Sequence, residues 1–208
     1  MNAGIRVGHS LTRSEPVDQA GFYAFRFFSY HGFIRKSLNK LSPICTANMD
    51  GKKKKKASTA TENQKLDFCA ATNQLLMTEP SIKIDCIVAK KENVQPHIRT
   101  DLNKLYNYMC KLVMIDYVKL VPEFVFIPDK RSVKVESGNS LSDYLQTVLW
   151  FECGASTVID NHPQESHNNY NLQFVDWISS CVWSHFEDGE SNVYKEISRP
   201  VNVRTLFF

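Results

Sequence analysis

From about residue 60 to the end of the chain, the apolar residues change their period repeatedly, and this limits the fold more than any other feature. Apolar residues three and four apart read as amphipathic helices, and short alternating or β-branched runs read as strands. Leu66, Cys69, Asn73 and Leu76 mark one face of a helix that Thr59 or Thr61 caps and Pro80 closes. The run Ile82-Lys83-Ile84-Asp85-Cys86-Ile87-Val88 alternates and then turns wholly apolar, as a strand does on entering a core. Pro96 opens a helix predicted to reach about Tyr117, with Ile98, Leu102, Leu105, Met109, Leu112 and Val113 inward. Val121 to Ile127 reads as a second strand, and Asn139 or Ser140 caps a third helix carrying Leu141, Tyr144, Leu145, Val148 and Leu149 on one side. A short strand is predicted over 156–159. Leu172, Val175, Ser179, Val182 and Phe186 form the stripe of a last helix that ends near Gly189. Such alternation predicts an α/β layer fold in which helical crossovers join parallel strands.

The first 56 residues lack this order. Only Gly21 to Phe28, dense in aromatic residues, reads as a strand. Residues 1–65 carry 12 Lys and Arg against 4 Asp and Glu, whereas residues 66–208 carry 13 against 18, so charges of +8 and −5 lie behind a net +3. Five of the positive charges are the run Lys52 to Lys56, a self-repelling block expected to stay solvated as a loop. The reading divides the chain into a basic, irregular segment over 1–56, with one candidate strand, and an α/β domain over 57–208. A lysine run can also tether phosphate, because each neutralised phosphate releases counterions.

Composition closes off several classes. With 43% hydrophobic and 23% charged residues the chain is globular. No apolar run approaches the roughly 18 residues of a membrane helix, and the amino end lacks the pattern of a secretory signal, so a soluble, cytoplasmic protein is expected. The six cysteines are spread out with no Cys-x-x-Cys pair, which supports neither a disulfide scaffold nor a structural zinc site. Cys86 and Cys110 fall inside apolar patterns and read as small buried hydrophobes.

The residues that could carry chemistry are carboxylates. Asp129 follows Val125-Phe126-Ile127-Pro128 at the carboxyl end of a predicted strand, the edge at which α/β sheets bind ligands. Asp176 flanks the inward stripe of the last helix, where a carboxylate needs a cation, a hydrogen bond or a metal ion to satisfy it. The plainer alternatives are a capping role for Asp129 and a salt bridge from Asp176 to Lys130 or Arg131. His162 and His167, with Asp160 and Glu165 among them, could also build a metal site, but Pro163 prevents a regular helix from aligning the two imidazoles.

Five stretches, in order over about 150 residues, resemble the domain-of-unknown-function 3800 family. They are Asn103 to Tyr108, Ile127-Pro128-Asp129-Lys130-Arg131-Ser132, Leu141 to Leu145, the block Gln164-Glu165-Ser166 with Asn171 to Asp176, and Phe186-Glu187-Asp188-Gly189. The resemblance implies an RNase H-like mixed sheet with helices packed on it, its amino-terminal strands diverged or missing. It also implies a nuclease ancestry. Nucleases of this fold hold two Mg²⁺ ions roughly 4 Å apart between carboxylates, so that both the attacking and the leaving oxygen are stabilised. On this reading Asp129 and Asp176 are the ligands of Mg²⁺ or Mn²⁺, Glu165 supports them in catalysis, and Lys130, Arg131 and Lys134 hold the nucleic acid.

The chain departs from that family at its start. The usual opening Phe-Ile-Asp-Glu-Ser-Gly, whose Asp would bridge both ions, is absent, and Ser14-Glu15-Pro16-Val17-Asp18 is a poor substitute because Pro16 does not suit a central strand. Two functions therefore compete. One is a metal-dependent hydrolase of phosphodiesters. The other is a catalytically inactive module that binds nucleic acid or a protein, in which Phe22, Tyr23, Phe25, Phe27 and Phe28 beside Arg26, Arg35 and Lys36 could stack bases and bind phosphate.

Overall fold

The computed structural model describes residues 22–29, 59–99, 102–130, 140–166 and 169–206. The lysine run, Arg35, Lys36, Arg131, Lys134 and His167 lie outside these residues, as do the side chains of 22–29.

Strand β1 (Phe22–Ser29) pairs antiparallel with β2 (Lys83–Lys90), which pairs parallel with β5 (Asn202–Leu206) on its other side. The pairing aligns Asp85 with Phe27 on one side and with Asn202 on the other. A second sheet joins β3 (Glu123–Phe126) and β4 (Val158–Asn161) in parallel. Helices α1 (Glu62–Thr78), α2 (Pro96–Arg99), α3 (Leu102–Val118), α4 (Ser140–Thr147), α5 (Tyr170–Asp188) and α6 (Ser191–Ile197) fill the intervals. No helix among the described residues is long and apolar enough to cross a membrane.

Helix α1 starts where a capping box starts it. Thr61 accepts from the Gln64 amide while the Gln64 side chain accepts from the Thr61 amide, so two orphan donors are satisfied together. Its buried face is Lys65, Phe68, Cys69, Thr72 and Leu75, so the predicted Cys69 is at its centre while Leu66 and Leu76 pack at its edge, partly buried. The ring of Phe68 sets that rotation, lying 5.5 Å from Phe174 and 5.2 Å from Trp177 between ring centroids. Lys65 tolerates burial because its ammonium meets Glu190 at 2.7 Å. Helix α5 ends as the sequence foretold, on Gly189 at φ +75°, a left-handed conformation that an L side chain resists.

Strand β2 organises two apolar clusters because it is covered on both faces. Ile84, Cys86 and Val88 pack with α1, α5 and α6. Ile87 and Ala89 pack with α3, α4 and β3. This two-sided burial accounts for the wholly apolar end of the run. Three expectations need correction. The helix opened by Pro96 is divided into α2 and α3, the fourth strand begins at Val158 rather than at 156, and α6 and β5 lie in a stretch for which the sequence predicted neither.

Candidate functional site at the carboxyl ends of the parallel strands

Strands β3 and β4 continue to pair beyond their regular ends. The His162 amide donates to the Phe126 carbonyl at 2.8 Å, Gln164 to Pro128 at 2.9 Å and Lys130 to Gln164 at 2.7 Å. Asp129 and Gln164 face each other in an isolated parallel bridge. This zipper delivers Asp129 to the carboxyl end of β3 with the segment Gln164-Glu165-Ser166 against it. The Ser166 amide donates to Asp129 Oδ1 at 3.0 Å, so the carboxylate fixes the turn leading into α5. Glu165 lies between those two anchored residues and is exposed, as is Lys130.

Helix α5 starts from the same corner. Asn169 caps it, accepting from the amides of Asn171 at 2.8 Å and Leu172 at 3.3 Å. The Asn169 side chain also donates to Gln164 Oε1 at 2.6 Å, and Gln173 Nε2 donates to the Ser166 carbonyl at 3.0 Å. Asp176, half-buried, stands one turn beyond Gln173 on the same side of the helix, since residues three apart are neighbours there. The structure thus places Asp129 against the segment Gln164–Ser166, which contains Glu165, and sets Asp176 on the helix that leaves from it. Among the described residues, however, no three His, Cys, Asp or Glu side chains form a group that could hold a metal ion. His162 turns to Asp160 instead, with Nε2 2.7 Å from Oδ2 in an exposed pair.

Asp85 is a buried carboxylate that the sequence reading passed over. It sits on the central strand β2 with 1% of its surface exposed. Asn202 Nδ2 donates to its Oδ1 at 2.6 Å, and Arg204 approaches to 4.0 Å. Burial raises the pKa of Tyr117 above its ordinary value, and the charge of Asp85 and a hydrogen bond to it add to the shift. These partners satisfy Asp85 and tie β2, β5 and α3 together.

No protein-family model matches the chain, and no curated protein does. Among solved structures the chain is similar to Bst-RNase HIII in complex with Mn²⁺, with a TM-score of 0.56 and 11% identity over 93% of this chain. It is also similar to RNase HII of Archaeoglobus fulgidus from the complex with PCNA, with a TM-score of 0.51 and 10% identity, covering 91% of this chain and 78% of that one. The chain spans 56% of the Bst-RNase HIII chain it matches. Likeness at this identity concerns the fold: the chain has an RNase H-like α/β fold.

Proposed function

We propose that the chain is a divalent-metal-dependent hydrolase of nucleic-acid phosphodiesters, kin to the domain-of-unknown-function 3800 family. One observation carries the reading. In an RNase H-like fold, Asp129 stands at the carboxyl end of β3 against the segment that carries Glu165, and the helix bearing Asp176 starts from that same corner. The Mn²⁺ in the complex of Bst-RNase HIII supports the choice of cation. Asp129 and Asp176 would hold Mg²⁺ or Mn²⁺ with Glu165 in support, and an ion bound there would supply charge for the attacking and leaving oxygens. A site with only one or two protein carboxylates suits Mg²⁺, which keeps several waters and takes substrate phosphate as a further ligand. Lys130, Arg131 and Lys134 would hold the nucleic acid through its phosphates.

Calorimetric titration with Mn²⁺ tests the ligand assignment. Binding that is lost in Asp176→Asn, with the melting temperature retained, is the expected result; unchanged affinity in that variant contradicts it.

A second reading, a catalytically inactive module that binds nucleic acid, is favoured by the lack of a three-ligand group among the described residues. Oligonucleotide binding without cleavage, under any divalent ion, would select it.

A further inference from the structure

Two amide side chains at the start of α5 reach back to the corner from which that helix leaves. Gln173 is 5% exposed, so its polar end needs a partner inside the protein. It finds one in the Ser166 carbonyl, to which Nε2 donates at 3.0 Å. The Ser166 amide in turn donates to Asp129 Oδ1 at 3.0 Å. Ser166 is therefore held from two sides, through its amide by the end of β3 and through its carbonyl by α5. Asn169 does the same for Gln164. Its Oδ1 caps the helix, while its Nδ2 donates to Gln164 Oε1 at 2.6 Å. The Gln164 backbone is already fixed beside β3, donating to Pro128 at 2.9 Å and accepting from Lys130 at 2.7 Å. Capping uses only the Asn169 oxygen, and a buried glutamine amide is satisfied by any acceptor. Helix chemistry therefore does not require that both nitrogens go to the one segment that carries Glu165.

We propose that Gln173 and Asn169 are positioning residues that fix α5, and with it Asp176, against Asp129 and the segment of Glu165, at the separation a shared divalent cation requires. This role rests on the reading of the corner as a cation site, and it falls to two side chains that act only through others. Asn169, Gln173 and Asp176 are spaced four and three apart, so they share one side of the helix. Helical side chains lean toward the amino end, which is the end at this corner. Neutral amides suit the task. Carboxylates gathered for a cation repel one another until the ion arrives. A lysine strut would compete with the ion and an acidic one would add to the repulsion, whereas an amide donates a hydrogen bond and changes no charge. Partners that orient ligands without touching the metal are worth roughly 10- to 100-fold in affinity.

The test takes the full chain freed of metal, Mn²⁺ as the probe, and two variants that remove the struts but keep the helix. Gln173→Met keeps the length of the side chain and loses the donor. Asn169→Ser keeps a capping oxygen and is too short to reach Gln164. Gly189→Ala is the control, because it weakens α5 at its far end without touching the corner. Calorimetric titration should give a Mn²⁺ affinity about tenfold or more lower in Gln173→Met, a smaller loss in Asn169→Ser and wild-type affinity in Gly189→Ala. Exchange of the Ser166 amide proton, followed by NMR without metal, should be faster in Gln173→Met, because one of the two anchors of Ser166 is gone. Circular dichroism confirms that the variants are folded. Unchanged exchange in Gln173→Met overturns the strut, whatever the metal does. Wild-type Mn²⁺ affinity in both strut variants, or an equal loss in Gly189→Ala, overturns the positioning role and leaves the cation site standing. A wild-type chain that binds no Mn²⁺ overturns the cation site itself, and the positioning role with it.

Discussion

Asp129 holds the turn before α5 whatever else it does, because its carboxylate accepts the Ser166 amide. Replacing it with Ala should cost about 1 kcal/mol in urea denaturation, and Asp129→Asn, which keeps an acceptor oxygen, clearly less. Equal losses in the two variants would count against the bond. Glu190 makes a pH prediction. The hydrogen bond from Lys65 lowers its pKa, with Ser184 adding to the shift and partial burial opposing it. A carboxylate whose folded pKa lies below its unfolded value of 4.5 contributes stability above that value and loses it as pH falls through the lower, folded pKa. The melting temperatures of wild type and Glu190→Gln should therefore differ at neutral pH and converge in strong acid; a constant difference would refute the assignment. The places of Asp129 and Asp176 in the fold were legible in the sequence, because one follows a strand and the other borders a helical stripe. Asp85 was not, since an Asp in an alternating run resembles a solvent-facing residue. Its inward partners are distant in sequence: Tyr117 on α3, and Asn202 and Arg204 on a strand the sequence did not announce.

Helices were the more legible elements because their signals are local. Thr61 and Gly189 mark their own ends through hydrogen bonds and backbone conformation within a few residues. Strand β5 carries Asn202, Arg204 and Thr205 among its five residues, so its place beside β2 depends on tertiary pairing and not on pattern. Val148 and Leu149 are buried as the helical stripe predicts, but the π-turn that follows α4 was hidden, because the helical period does not distinguish it from a regular turn. Gly189→Ala tests the cap. No atom stands within 4 Å of the added methyl group, so the cost, about 1–2 kcal/mol, comes from left-handed backbone alone. Denaturant unfolding measures it, and a neutral substitution would mean that the cap has rearranged.

At the scale of the molecule, helices cover both faces of β2, with one apolar cluster on each side. The sequence implied that layered arrangement through its alternating periods, and the solved RNase HII and HIII structures share the fold. Which corner of the fold could act was only partly implied, because the pairing of Asp129 with Gln164 depends on a register between segments that no local pattern encodes. The most direct test of the central claim is incubation of the purified chain with Mn²⁺ or Mg²⁺ on single-stranded DNA, duplex DNA, RNA and an RNA–DNA hybrid, with Asp176→Asn in parallel. The account expects metal-dependent cleavage of at least one substrate, abolished by EDTA and in the variant. Intact nucleic acid in every case, or cleavage that the variant retains, would contradict it.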